Sequence, residues 1–170
     1  MIFSKRRDPR LVTVRRGGTL RDADHHRLAL WAADCAEHVL HHFEHAHPDD
    51  DRPRRAIELA RAWARGEITM TQARTAAFGN AAARETSGAA KQVALAAAQA
   101  VAVSHVPAHD LGAAAYAIRA ARAAAPQGER EQAGRLECRW QQAQLPGEIR
   151  ELVLDDQRLR NEVCWYVFDC

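Results

Sequence analysis

The sequence predicts an all-α fold: a compact bundle of about six to eight antiparallel helices. Three observations lead there. Alanine dominates an apolar share of 47%, while Phe, Trp and Tyr together reach only 6%, and alanine is the strongest helix former and the smallest side chain that covers a core face. Apolar residues recur at three- and four-residue spacing. Pro, Gly and Asx stops fall every few turns. A short α-solenoid-like stack of helix pairs is the alternative architecture, although no fixed repeat is visible. At 170 residues with 27% charged side chains, the chain is long enough to bury about two-thirds of its unfolded surface in one core.

Residues 1–18 combine basic side chains with the Asp8-Pro9 turn and the Gly17-Gly18 pair, which predicts a flexible basic arm ahead of a single helical domain over 19–170. Its "RLVTV" is the one place where an edge strand could form. The first helix is expected from Thr19–Asp22 to about Ala46, with Leu28, Ala32, Cys35, Val39, Phe43 and Ala46 on the buried face. Asp51 is the expected cap of the second helix, Pro53 stands in its first turn, Trp63 points inward and Gly66 stops it. "TMTQ" offers a capping box, Thr69 with Gln72, for a third helix running to about Thr86. A fourth covers about 89–104, and a fifth follows Pro107 and ends before Pro126. The sixth, over 129–144, is anchored by Leu136 and Trp140. The last begins near Glu148 and is expected to break near Asp155-Asp156. Trp31, Trp63, Trp140 and Trp165 all read as core anchors.

Net charge is +2. Residues 1–21 hold seven basic side chains against Asp8, a local +6, so the remainder carries +2 minus 6, or −4. Cys35, Cys138, Cys164 and Cys170 show no CxxC spacing and no dense framework, and they read as reduced thiols. No secretory h-region and no run of 18 strongly apolar residues is present. The expectation is a bacterial-type cytoplasmic protein without membrane contact.

The stretch "AEHVLHHFEHAHPDDDRPRR" concentrates the chemistry. On a helix Asp34, His38, His41 and His45 form one polar stripe. Imidazole and carboxylate at i, i+4 spacing can share a Zn²⁺, but a straight helix cannot wrap four ligands around one ion. His105, His109 and Asp49–Asp51 are the only obvious further donors, and no HExxH or Cys/His signature is present. A solvated face that titrates near neutral pH is the preferred reading, a partner-contact face the next, and no metal or cofactor is expected. Asp49–Asp51 lie at the positive end of the second helix, where Glu58 can pair with Arg54, Arg61 or Arg65; an acidic patch for a basic partner is the alternative. His105 and His109 flank Pro107 at a corner, where histidines usually satisfy backbone carbonyls. No phosphate loop, GxSxG or nucleophile, base and orienter set appears, which speaks against an enzyme.

Three stretches, "DHHRLALWAADCAEHVLHHFE", "PDDDRPRRAIELARAWARGE" and "AVSHVPAHDLGAAAYAIRAA", resemble the immunity proteins of bacterial polymorphic toxin systems, specifically the immunity-five-like family. The likeness spans most of residues 22–125. Trp31, Asp34, Cys35, Asp49, Asp51, Arg52, Pro53, Arg54, Trp63 and Gly66 match its pattern, whereas His41, His45 and His47 are peculiar to this chain. The resemblance implies an all-helical protein that neutralises a cognate toxin by stoichiometric binding, with no catalytic residues to carry over. Asp34, His38, His41, Glu44, His45, Asp49 and Asp50 are then the candidate partner-binding residues, and Trp31, Asp51, Pro53, Trp63 and Gly66 the structural ones. A nucleic-acid-associated protein using Lys5, Arg6, Arg7, Arg10, Arg15 and Arg16 is the second hypothesis. A metal-dependent enzyme using the histidine stripe is the third.

Overall fold

Helix-forming alanine and short polar breaks produce what they should. In the computed structural model, which describes residues 8–75 and 78–170, the helices are α1 (Asp22–His38), α2 (His41–Glu44), α3 (Arg52–Ala64), α4 (Met70–Arg74), α5 (Phe78–Glu85), α6 (Gly88–Ala102), α7 (Asp110–Ala124), α8 (Arg130–Ala143) and α9 (Gly147–Arg160). Seven of these reach two turns or more. Among the described residues there is no strand, only an isolated bridge between Thr13 and Leu20. A solenoid would keep contacts between sequence neighbours. Here α1 packs on α3, α6 and α7 and touches α9, and α3 packs on α6. The chain is therefore a closed all-α bundle.

Helices α6 and α7 form its centre. Ala90, Val93, Ala94, Ala96, Ala97, Ala98, Ala100 and Val101 bury α6 nearly all round, and Leu111, Ala113–Ala115, Ala117, Ile118 and Ala120 do the same for α7. A helix apolar on every side belongs in the interior. Small side chains let neighbours approach closely: a Cβ on Gly79 of α5 would stand 2.9 Å from the Ala94 carbonyl oxygen and 2.9 Å from the Ala98 nitrogen. The large groups Leu28, Trp31, Phe43, Ile57 and Ile149 fill the spaces between helices. Trp31 is tied further by its indole N–H, which donates to the Gln141 carbonyl at 2.9 Å.

Several details differ from the sequence reading, each for a physical reason. The first helix ends at His38 and re-forms as α2, so that Val39, Leu40 and Phe43 are all buried while Ala46 stays exposed. The Thr69/Gln72 capping box is present, but α4 ends at Arg74. No break occurs at Asp155-Asp156, because both carboxylates are paired along α9, Asp155 with Arg158 and Asp156 with Arg160. Leu136 is exposed, and the buried face of α8 is Gly134, Glu137, Cys138 and Gln141. Of the four tryptophans only Trp31 is fully buried; Trp63 and Trp140 are half-buried, and Trp165 is exposed with a left-handed backbone, φ 58°. Gly66, with φ 75° just past α3, takes the conformation that only glycine adopts freely.

The cysteines need a correction. Cys138 and Cys170 are joined in a disulfide across 32 residues, which staples the C-terminal turn onto α8. Two lone cysteines that far apart in sequence give no spacing signal; only the fold brings them together. Cys35 and Cys164 are free and buried. Burial pushes the Cys164 thiol up to about 11 and raises Cys35 as well, so both stay protonated.

Residues 8–20 form two 3-10 turns, Pro9–Leu11 and Val14–Arg16, with Leu11 and Leu20 buried against the bundle. The "RLVTV" run thus makes a turn and a single bridge where an edge strand was possible. Residues 1–7 of the expected arm lie outside the described residues.

Candidate functional site

The corner singled out in the sequence is assembled from the end of α1, α2 and the loop into α3. It is a lattice of ion pairs. Arg61 of α3 reaches back to Asp34 at 2.7 Å and Glu37 at 2.6 Å on α1, which holds the Glu37 carboxyl below the usual carboxylate range. Arg54 pairs with Glu44 at 2.6 Å. Arg52 bridges Asp50 at 2.7 Å and Glu85 of α5 at 2.6 Å. The partners proposed for Glu58 are therefore engaged elsewhere: Arg54 with Glu44, Arg61 with α1, and Arg65 with Glu67.

The start of α3 also differs from expectation. Asp51 makes no capping hydrogen bond through its side chain, whereas Asp50 Oδ1 accepts from the Arg52 backbone N–H at 3.1 Å and from its Nε at 2.8 Å. The Asp50 carboxyl is held below its ordinary value first by the Arg52 side chain. Asp49 and Asp51 are both exposed.

The histidines divide. His38 stacks flat on Trp140, with ring centroids 3.6 Å apart and planes within 4°, and its Nδ1 lies 2.7 Å from the buried Glu137. Glu137 in turn accepts from Gln141 at 2.9 Å, and Gln141 reaches the Ala114 carbonyl at 3.2 Å. His38 thus ties α1 to α8 and α7. His41 and His45 are exposed, with ring contacts between His41 and each of His42 and His45. Burial first, and then the neighbouring imidazoles, lower the His42 pKa. Among the described residues no three His, Cys, Asp or Glu side chains group closely enough to hold a metal ion.

A second site had no sequence signal beyond the His105–His109 corner. A cleft of about 1290 Å³ opens between the 8–20 segment, α1, the α3–α4 link, the turn before α7 and the end of α9. Its floor is charged and buried: Arg160 pairs with Asp156 and Asp110, at 3.4 Å from the latter, and donates to the Ala108 carbonyl at 3.0 Å. His25 Nε2 lies 2.6 Å from the Val103 carbonyl oxygen. His109 Nδ1 lies 2.7 Å from the Gln99 side-chain oxygen, and burial drives its pKa down to about 4. These residues are scattered from position 8 to 160, and no local pattern links them.

Compared with known proteins, residues 18–148 match the family described as Imm-5 like putative immunity protein. The chain belongs to the Imm-5-like family. That span covers most of the molecule, including every residue of the ion-paired corner, while most of α9, Cys170 and the first turns of the cleft wall lie beyond it. Neither a curated protein nor a solved structure matches this Imm-5-like chain. No helix among the described residues is long and apolar enough to cross a membrane.

Proposed function

We propose that the chain is an immunity protein that binds a cognate toxin domain stoichiometrically in the bacterial cytoplasm and blocks it without catalysis. The observation that carries this reading is the family match over residues 18–148. The contact surface proposed is the corner holding Asp34, His38, His41, Glu44, His45, Asp49 and Asp50. Six carboxylates, Asp34, Glu37, Glu44, Asp49, Asp50 and Asp51, stand there against four guanidiniums, Arg52, Arg54, Arg55 and Arg61. A rigid, net-acidic surface of this kind speeds encounter with a basic partner and orients it. Internal ion pairs pre-organise the charges, and the exposed His41, His45 and Asp49 are the groups best placed for first contact.

The nucleic-acid alternative has less support. Of the arm's described arginines, Arg10 is paired with Asp8 and Asp155 and Arg15 with Asp22, so fewer charges remain for phosphate.

The test is to examine the neighbouring open reading frames for a toxin domain and, where one is encoded, to co-express it with this protein. His41→Ala, His45→Ala and Asp49→Asn combined should weaken capture of the toxin at least tenfold and lower protection at limiting expression, with the melting temperature unchanged. Full protection by the triple variant at low expression places toxin contact elsewhere. Absence of any complex with wild-type protein overturns the immunity reading itself.

A further inference from the structure

The cleft plays no part in that reading, yet it has the features of a ligand site. Its volume, about 1290 Å³, exceeds the roughly 300–1,000 Å³ usual for small-molecule pockets. Trp63 forms part of its wall, with His25 and His26 edge-on to the indole at 4.7 and 4.9 Å. Ile68, Met70 and Val106 add apolar surface.

The polar groups that converge on it are basic and incompletely used. His105 Nδ1 is buried without a hydrogen-bond partner among the described residues, an arrangement that is unfavourable unless a ligand engages the group. Arg16 approaches from the N-terminal segment, and among the described residues its guanidinium makes one hydrogen bond, to the His105 carbonyl oxygen, 3.4 Å long. The two groups are therefore neighbours across the mouth. The other charges are balanced: Arg10 and Arg15 have carboxylate partners, and Asp156 is held by Arg160.

We propose that this cleft binds a small amphipathic anion, an aromatic or branched apolar body bearing one carboxylate or phosphate, with Trp63 against the body and Arg16 and His105 on the anion. Arginine supplies the fork that such oxyanions match. The electrostatics agree. The His105 pKa is lowered first by burial and then by the positive charges of Arg74 and Arg16. The positive charges facing it are Arg74 on α4 and Arg16 on the N-terminal segment; the His109 ring lies 5.5 Å from that of His105, and His25, His26 and Asp22 line the same cleft. A bound anion relieves this excess of positive potential.

Three probes test the proposal on the full chain: 1-naphthoate, 1-naphthyl phosphate and the neutral 1-naphthylmethanol, followed by calorimetry and tryptophan fluorescence. At least one anion should bind one to one and at least tenfold more tightly than the alcohol; which anion is preferred separates carboxylate from phosphate ligands. Arg16→Gln and His105→Gln should each weaken the anion at least fivefold and leave the alcohol unaffected. Saturating anion should also raise the His105 pKa followed by NMR. Arg16 is exposed, so its variant folds whatever His105→Gln does, and both variants should still protect against the toxin. Equal binding of alcohol and anions, indifference to both substitutions, loss of binding in Trp165→Ala, or no binding at millimolar probe overturns the proposal.

Discussion

Replacing Arg160 by methionine strips the cation from a buried site that holds two carboxylates. Asp110 is 0% exposed, Asp156 2% and Arg160 5%. The guanidinium bridges both and also holds the Ala108 carbonyl, so it fastens α9 to the start of α7. Removing one partner of a buried ionic cluster leaves uncompensated charge and costs about 3–5 kcal/mol. In a chain of this size each kcal/mol lowers Tm by about 2–4 °C, so the loss corresponds to about 6–20 °C. The pH dependence follows from Asp110, whose pKa burial pushes up to about 7 while Arg160 pulls it the other way. A carboxyl whose folded pKa lies above its unfolded value binds more protons when folded, so its ionisation erodes stability as pH rises between about 4 and 7. Without Arg160 the ionised Asp110 keeps the Leu111 backbone N–H, 2.7 Å from Oδ1, but loses its cation. The variant's loss should therefore be largest at pH 8 and fall to about 1–3 kcal/mol at pH 5, where a protonated Asp110 needs no cation. Urea melts followed by circular dichroism at both pH values measure it. A loss below about 1 kcal/mol at pH 8, or a larger loss at pH 5, would refute the reasoning.

Three other outcomes are expected. Asp50→Ala should cost about 1–2 kcal/mol, combining a lost helix-start hydrogen bond with a solvent-screened ion pair, whereas Asp51→Ala should stay within about 0.5 kcal/mol; because the folded Asp50 pKa is depressed, its contribution is present above about pH 4 and lost as pH falls through the lower folded value, which an acid titration of both variants checks. Cys170→Ser, or reduction with dithiothreitol, should lower stability by about 2–4 kcal/mol through the released loop, read as a drop in Tm. EDTA should leave Tm within about 1 °C, since the exposed histidines of α1 and α2 form no closed ligand set; a larger drop reversed by Zn²⁺ contradicts this.

Composition and periodicity by themselves determined the helical class, most helix positions, the Thr69/Gln72 box and the buried Leu28, Cys35, Phe43 stripe, because these depend on residues a few positions apart. The quoted stretches likewise sufficed for the family, since family likeness is itself a property of sequence order. What the tertiary structure decided are relations between distant residues. Arg52, held locally by Asp50, also reaches Glu85 on another helix. His38, still exposed, is tied to Trp140 and to Glu137, which lies ninety-nine residues further along the chain. Cys138 met Cys170, and Leu136 turned outward because Glu137 and Gln141 had polar partners inside. The cleft has the same origin: Arg16, Trp63, His105 and Arg160 carry no mutual signal in sequence, and only the packing of the 8–20 segment, several helices and the turn before α7 brings their side chains around one space. Local rules fix what each segment becomes; which charges are buried, paired or left open depends on partners that only the folded chain supplies.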